Sequence, residues 1–72
     1  MRAILYVAND CRHCTALRDE LARSGTAFDE INVSTRREKI PELLKLTGGK
    51  RIVPVVVDQS GVRVAPSGGT TF

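Results

Sequence analysis

The chain has two cysteines, Cys11 and Cys14, three positions apart. They follow a short apolar run, Ile4-Leu5-Tyr6-Val7-Ala8, and precede a stretch whose apolar residues recur with a helical period. A disulfide-stapled secreted miniprotein would carry more cysteines than this. A structural zinc site needs a full tetrahedral set, and Cys11, His13 and Cys14 would give a cramped, incomplete one. No complete metal site is expected. The pair serves thiol redox chemistry or half of a shared metal site, with a chance spacing the weakest of the three readings.

With 72 residues the chain encloses one modest core and reads as a single domain, residues 1–72. Residues 3–8 are continuously apolar, which suits a strand covered on both faces. Asn9 or Asp10 is positioned to cap the helix that follows over residues 11–23. Cys14, Leu17 and Leu21 form its buried stripe, and Gly25 ends it. Residues 27–33 read as a second strand. Ser34 or Thr35 is placed to cap a second helix that ends at Gly48-Gly49, with Pro41 tolerable only in its first turn. Residues 52–58 form a valine-rich strand, and the turn Asp58-Gln59-Ser60-Gly61 returns residues 62–65 as a hairpin. Residues 67–72 read as a loop and tail. The order is βαβαββ, an α/β fold with a mixed four-stranded sheet. Its strand–helix–strand unit makes the first two strands parallel.

Hydrophobic residues make up 42% and charged residues 26%, which excludes disordered and collagenous readings. The net charge is +3, but the basic residues are scattered and only three aromatics, Tyr6, Phe28 and Phe72, are present. Nucleic-acid binding needs a denser patch with stacking rings, so it is not expected. No apolar run is long enough to span a bilayer, and the start of the chain lacks the pattern of a secretory leader. The expectation is a cytoplasmic protein without a membrane partner.

A cysteine near the first position of a helix has a stabilised thiolate, because unpaired backbone N–H groups and the positive end of the helix dipole face it. Cys11 takes that place as the accessible nucleophile. Cys14, one turn deeper on the apolar stripe, is the resolving thiol. Arg12 and His13 add positive charge nearby. His13 is not expected to act as the base of a Cys–His hydrolase, since residues two apart on a helix point in different directions. Pro54 stands inside Ile52-Val53-Pro54-Val55, where it fits only at the opening of a strand, with either a trans or a cis bond.

The order βαβαββ, Cys11-Arg12-His13-Cys14 at the first strand–helix turn, Val53-Pro54 ahead of the third strand, and Gly68-Gly69 near the end resemble a glutaredoxin of the thioredoxin superfamily. They are also similar to the UXX-star group, in which the first cysteine position can be selenocysteine. The resemblance implies a thiol–disulfide oxidoreductase with a cis peptide before Pro54. It also implies that the Val53 main chain pairs with the bound thiol substrate, and that Arg12, His13, Gly68 and Gly69 line the substrate site. The implied partners are a disulfide-containing protein or a small thiol substrate, recycled by glutathione or a thioredoxin-type reductant. Glutathione would act as a reducing co-substrate, not as a bound cofactor.

The sequence departs from the family pattern at several positions. Arg12-His13 replace Pro-Tyr, Ala8 stands where a basic residue is usual, and Ile52 replaces a threonine. Pro41-Glu42 occupy the region of a common arginine or glutamine, the hairpin is longer, and Thr70 and Thr71 stand near the place of an aspartate. Glutathione binding is therefore expected to be weak, with Arg12, Lys50 and Arg51 as substitute cations.

The family's final helix is missing from this reading. Its absence is expected to leave apolar sheet surface, covered either by weak self-association or by the tail with Phe72. A competing function is a Cu(I) carrier of the copper-chaperone type, which also places two thiolates between a first strand and a first helix. Such domains run βαββαβ and carry a methionine just before the cysteines, and neither feature is read here. The arginine constellation of an arsenate reductase is also absent.

Overall fold

A computed structural model describes residues 2–66 and 68–72; Met1, and Ser67 of the expected terminal loop, lie outside the described residues. Strand β1, Ala3–Val7, is the centre of the fold. It pairs in parallel with β2, Phe28–Asn32, and antiparallel with β4, Val55–Asp58. Strand β5, Gly61–Val64, completes a mixed four-stranded sheet in the order β2-β1-β4-β5. Strand β1 is apolar throughout because it has neighbours on both edges and helices on both faces.

The pleat assigns each helix to a face. Leu5 is opposite Glu30 in the parallel register, and the Glu30 carboxylate receives the guanidinium of Arg18 from helix α1, Arg12–Arg23. Helix α1 therefore covers the Leu5 face, onto which it sets Cys14, Leu17 and Leu21, all buried. Tyr6 points the other way. Its hydroxyl donates to Glu42 Oε2 at 2.5 Å, on helix α2, Ile40–Thr47. The Tyr6 ring is buried in the core, and burial together with the Glu42 carboxylate pushes its phenol well above the usual range. A phenol whose folded pKa is raised holds its stabilisation below the unfolded pKa of about 10 and loses it as pH rises beyond that. Tyr6→Phe is expected to lower stability by about 1–2 kcal/mol at neutral pH, since a charged acceptor loses its donor. It should also remove this loss from the alkaline limb of the stability profile. Denaturant melts of both proteins at neutral pH and above pH 10 measure this.

Both expected helix caps are corrected. Asp10 does not cap α1; it adopts φ 57°, a left-handed conformation that aspartate tolerates, and turns the chain. Cys11 is the N-cap residue instead. Ser34 and Thr35 do not cap the second helix either. The Asn32 side chain takes both of their N–H groups, at 2.8 and 3.3 Å, as a local turn. Helical structure begins one turn later as a 3-10 segment, Arg37–Lys39, and continues as α2 with Pro41 in its first turn.

The expected single strand over residues 52–58 is divided. Val53–Pro54 is a cis peptide. Proline has no N–H to offer a ladder, and β3, Ile52–Val53, lies outside the main sheet. The tail is a second correction. Residues Thr70–Thr71 form strand β6, antiparallel to β3, with Ile52 opposite Thr71 and Val53 opposite Thr70. Phe72 packs against the core, and the Arg51 guanidinium lies 5.0 Å above its ring centroid.

Among the described residues no helix follows β5. The uncovered apolar surface lies on one face of the sheet only. On the α1 face Val56 is fully buried, and its neighbours Asp58 and Arg63 pair with each other at 3.4 Å. The exposed valines, Val62 at 43% and Val64 at 39%, lie on the α2 face at the outer strand. No helix among the described residues is long and apolar enough to cross a membrane.

Candidate active site

The parallel strands β1 and β2 end side by side, and an amide network ties their exits together. Asn32 Nδ2 donates to Asn9 Oδ1 at 3.0 Å, and the Asn9 N–H donates to Ser34 Oγ at 3.0 Å. Neither asparagine carried a motif in the sequence, since their pairing depends on strand register. The network fixes the segment that delivers Cys11 to the start of α1.

Cys11 and Cys14 are joined by a disulfide, with their Cα atoms 5.3 Å apart. Cys11 has extended backbone, and its Sγ accepts the Cys14 N–H at 3.1 Å. The sulfur thus takes the place of the side-chain oxygen that usually caps a helix. In the disulfide Cys11 is 6% exposed and Cys14 1% exposed, so Cys11 is the less deeply buried of two buried sulfur residues. Capping turns the Cys11 side chain inward over the first turn.

A cleft of about 560 Å³ opens beside the disulfide on the α1 face. Cys11, Cys14, Asn9, Asp10, Arg12 and Asn32 are in its wall. Arg18 also reaches it, but its guanidinium is held by Glu30. Arg12 is exposed and makes no ion pair among the described residues.

The remaining expected site residues gather on the other side. His13 lies against Gly68: a Cβ there would meet the imidazole at 3.0 Å, and φ is 113°. Only glycine fits that backbone without strain. Gly69 approaches β3 closely, and a Cβ on it would stand 2.8 Å from the Val53 carbonyl oxygen, Ile52 Cγ1 and Ala65 Cβ. Gly69→Ala is expected to cost about 1–3 kcal/mol by overpacking. A thermal melt that leaves the variant at the parental midpoint would show that the β3–β6 contact gives way.

Val53 is the position the structure alters most. Phe72 N–H donates to Arg51 O at 3.2 Å, which makes that opposed pair hydrogen-bonded. Antiparallel ladders alternate, so Val53 and Thr70 form the next hydrogen-bonded pair. The Val53 main chain is thus engaged by strand β6. Arg51 and Arg37 both line a smaller cleft of about 200 Å³ with Ser34, Ile40 and Phe72. Arg37 escaped the sequence reading because the start of the helical segment was placed differently. Lys50 instead closes the turn after α2, exchanging hydrogen bonds with Thr47 Oγ1. Among the described residues no group of three or more His, Cys, Asp or Glu side chains could hold a metal ion.

A family model described as Glutaredoxin matches residues 3–62. The match takes in Cys11, Cys14, Val53 and Pro54 and stops short of Gly68 and Gly69. Comparison with curated proteins gives no match.

Proposed function

The chain belongs to the glutaredoxin family, and from that premise we propose a dithiol mechanism in which Cys11 attacks and Cys14 resolves. The observation that carries it is the Cys11–Cys14 disulfide at the N-cap of α1, with the Cys14 N–H directed at Cys11 Sγ. In the reduced protein that N–H and the positive end of the helix favour a Cys11 thiolate. The thiolate attacks one sulfur of a substrate disulfide and expels the other as a thiolate. Cys14 then gives up its proton and attacks Cys11 Sγ, releasing the second substrate thiolate. Two electrons pass to the substrate, and the protein is left as the internal disulfide.

Protein disulfides and glutathione mixed disulfides are the proposed substrates. Glutathione or a thioredoxin-type dithiol is the proposed reductant, in a reducing compartment such as the cytoplasm. The proposed cations for the carboxylates of glutathione are Arg12, at the disulfide cleft, and Arg37 and Arg51, at the smaller cleft.

The test is alkylation of the reduced protein with one equivalent of iodoacetamide at mildly acidic pH, followed by peptide mapping. Cys11 is expected to react first, because the thiolate is the reactive form. Preferential labelling of Cys14 would reverse the two roles. A tight one-to-one Cu(I) complex, with no exchange against any disulfide, would make the protein a metal carrier instead.

A further inference from the structure

The two approaches to the disulfide are unequal. On the side of β3 the Val53 main chain is held by Thr70, and His13 lies on Gly68. On the α1 face Cys11 and Cys14 are among the residues that line an open cleft of about 560 Å³. Asp10 and Arg12 stand in its wall on either side of Cys11. They do not pair with each other or with another charged group among the described residues. The backbone keeps them apart: Asp10 is left-handed, Cys11 is extended, and Arg12 opens the helix. The cleft therefore presents one anion and one cation, unneutralised, beside the reactive sulfur.

We infer that this cleft admits the substrate and selects disulfides of free amino acids, of which cystine is the simplest. The inference rests on the oxidoreductase reading and narrows its substrate. In cystine the ammonium and carboxylate branch from a carbon two bonds from sulfur. With that sulfur at Cys11, the carboxylate falls to Arg12 and the ammonium to Asp10. In glutathione the same two groups are tied up in peptide bonds, so the charge pattern disfavours it. The Cys11 thiolate forms a bond to one cystine sulfur and breaks the S–S bond, releasing one cysteine thiolate. Cys14 loses its proton and displaces the second cysteine from Cys11. The protein dithiol is oxidised to the disulfide, and cystine is reduced to two cysteines. A thiol reductant of the class named above restores the dithiol.

The experiment uses the full chain, reduced with dithiothreitol and freed of it. It is oxidised in turn by cystine, cystine dimethyl ester, N,N′-diacetylcystine and bis(2-hydroxyethyl) disulfide. Each rate is divided by the rate at which dithiothreitol reduces the same compound, which removes leaving-group differences. Cystine is expected to lead the uncharged disulfide by about tenfold, with each partly exposed charge contact giving roughly threefold to fivefold. Arg12→Gln should abolish the preference for cystine over its ester, and Asp10→Asn the preference over the diacetyl compound. Arg23→Gln, which removes the same charge far along α1, should leave both ratios in place. Ratios near one in the parent protein would overturn the inference, as would ratios that neither variant changes. If none of the four compounds oxidises the protein, the oxidoreductase reading fails, and this inference with it.

Discussion

Cys11→Ser is expected to reduce disulfide exchange to the uncatalysed rate, and Cys14→Ser to stop the reaction at a mixed disulfide. A serine hydroxyl at position 11 would still accept the Cys14 N–H and cap α1, so folding should survive while the nucleophile is lost. The loss should be on the order of a hundredfold or more, because the thiolate, not a hydroxyl, attacks sulfur. In Cys14→Ser the first displacement still proceeds, but no second sulfur stands one helical turn away to expel the bound half. Mass spectrometry should then find one substrate thiol attached at Cys11, stable until an external thiol is added. Parental turnover in both single variants would refute the dithiol mechanism.

Thr70→Pro is expected to have opposite effects on stability and on access. Proline has no N–H, so the Val53 carbonyl loses its partner in β6, and the hydrogen bond from Phe72 to Arg51 lies next along the same ladder. Two such bonds and the docking of Phe72 are worth about 1–3 kcal/mol together. For a domain of this size that lowers the melting midpoint by roughly 5–20 °C. The freed Val53 main chain then becomes available for pairing with a peptide thiol. The rate with a glutathionylated peptide should therefore rise even as the fold weakens. Thermal melts and single-turnover rates, taken below the lower midpoint, separate the two effects. A variant that melts lower without reacting faster would show that substrate does not use the Val53 edge.

What the sequence disclosed followed from local pattern. The stripe Cys14, Leu17 and Leu21 and the uniformly apolar β1 specify burial through local pattern alone, and both are buried as read apart from the half-buried Ile4. The CxxC spacing and its place after a strand were equally legible, as was the hairpin turn. The misplaced caps have one cause: several short polar residues compete for each helix start, and tertiary pairing decides among them. Asn32 captured the N–H groups of Ser34 and Thr35 because β2 brings it beside Asn9. Strand β6 was illegible because two threonines after a pair of glycines carry no periodicity. Their pairing with β3 is a contact between segments about twenty residues apart, which local pattern does not encode. The face that carries the exposed Val62 and Val64 was not legible either, since a strand that is apolar at every position does not reveal its pleat.

Cys14 is at once the resolving sulfur of the proposed mechanism and a member of the core, packed in one cluster with Leu17 and Leu21. Oxidation and folding therefore close a thermodynamic cycle. Whatever difference in stability separates the dithiol from the disulfide form reappears, unchanged, in the reduction potential. A packing change that favours the dithiol form by about 1.4 kcal/mol makes the couple more oxidising by about 30 mV. Substitutions at Leu17 or Leu21 that stabilise one form over the other are thus expected to shift the potential, although neither residue lines the cleft beside the disulfide. Evolution or design can set this protein's redox poise from inside the hydrophobic core and leave every residue of the cleft as it is.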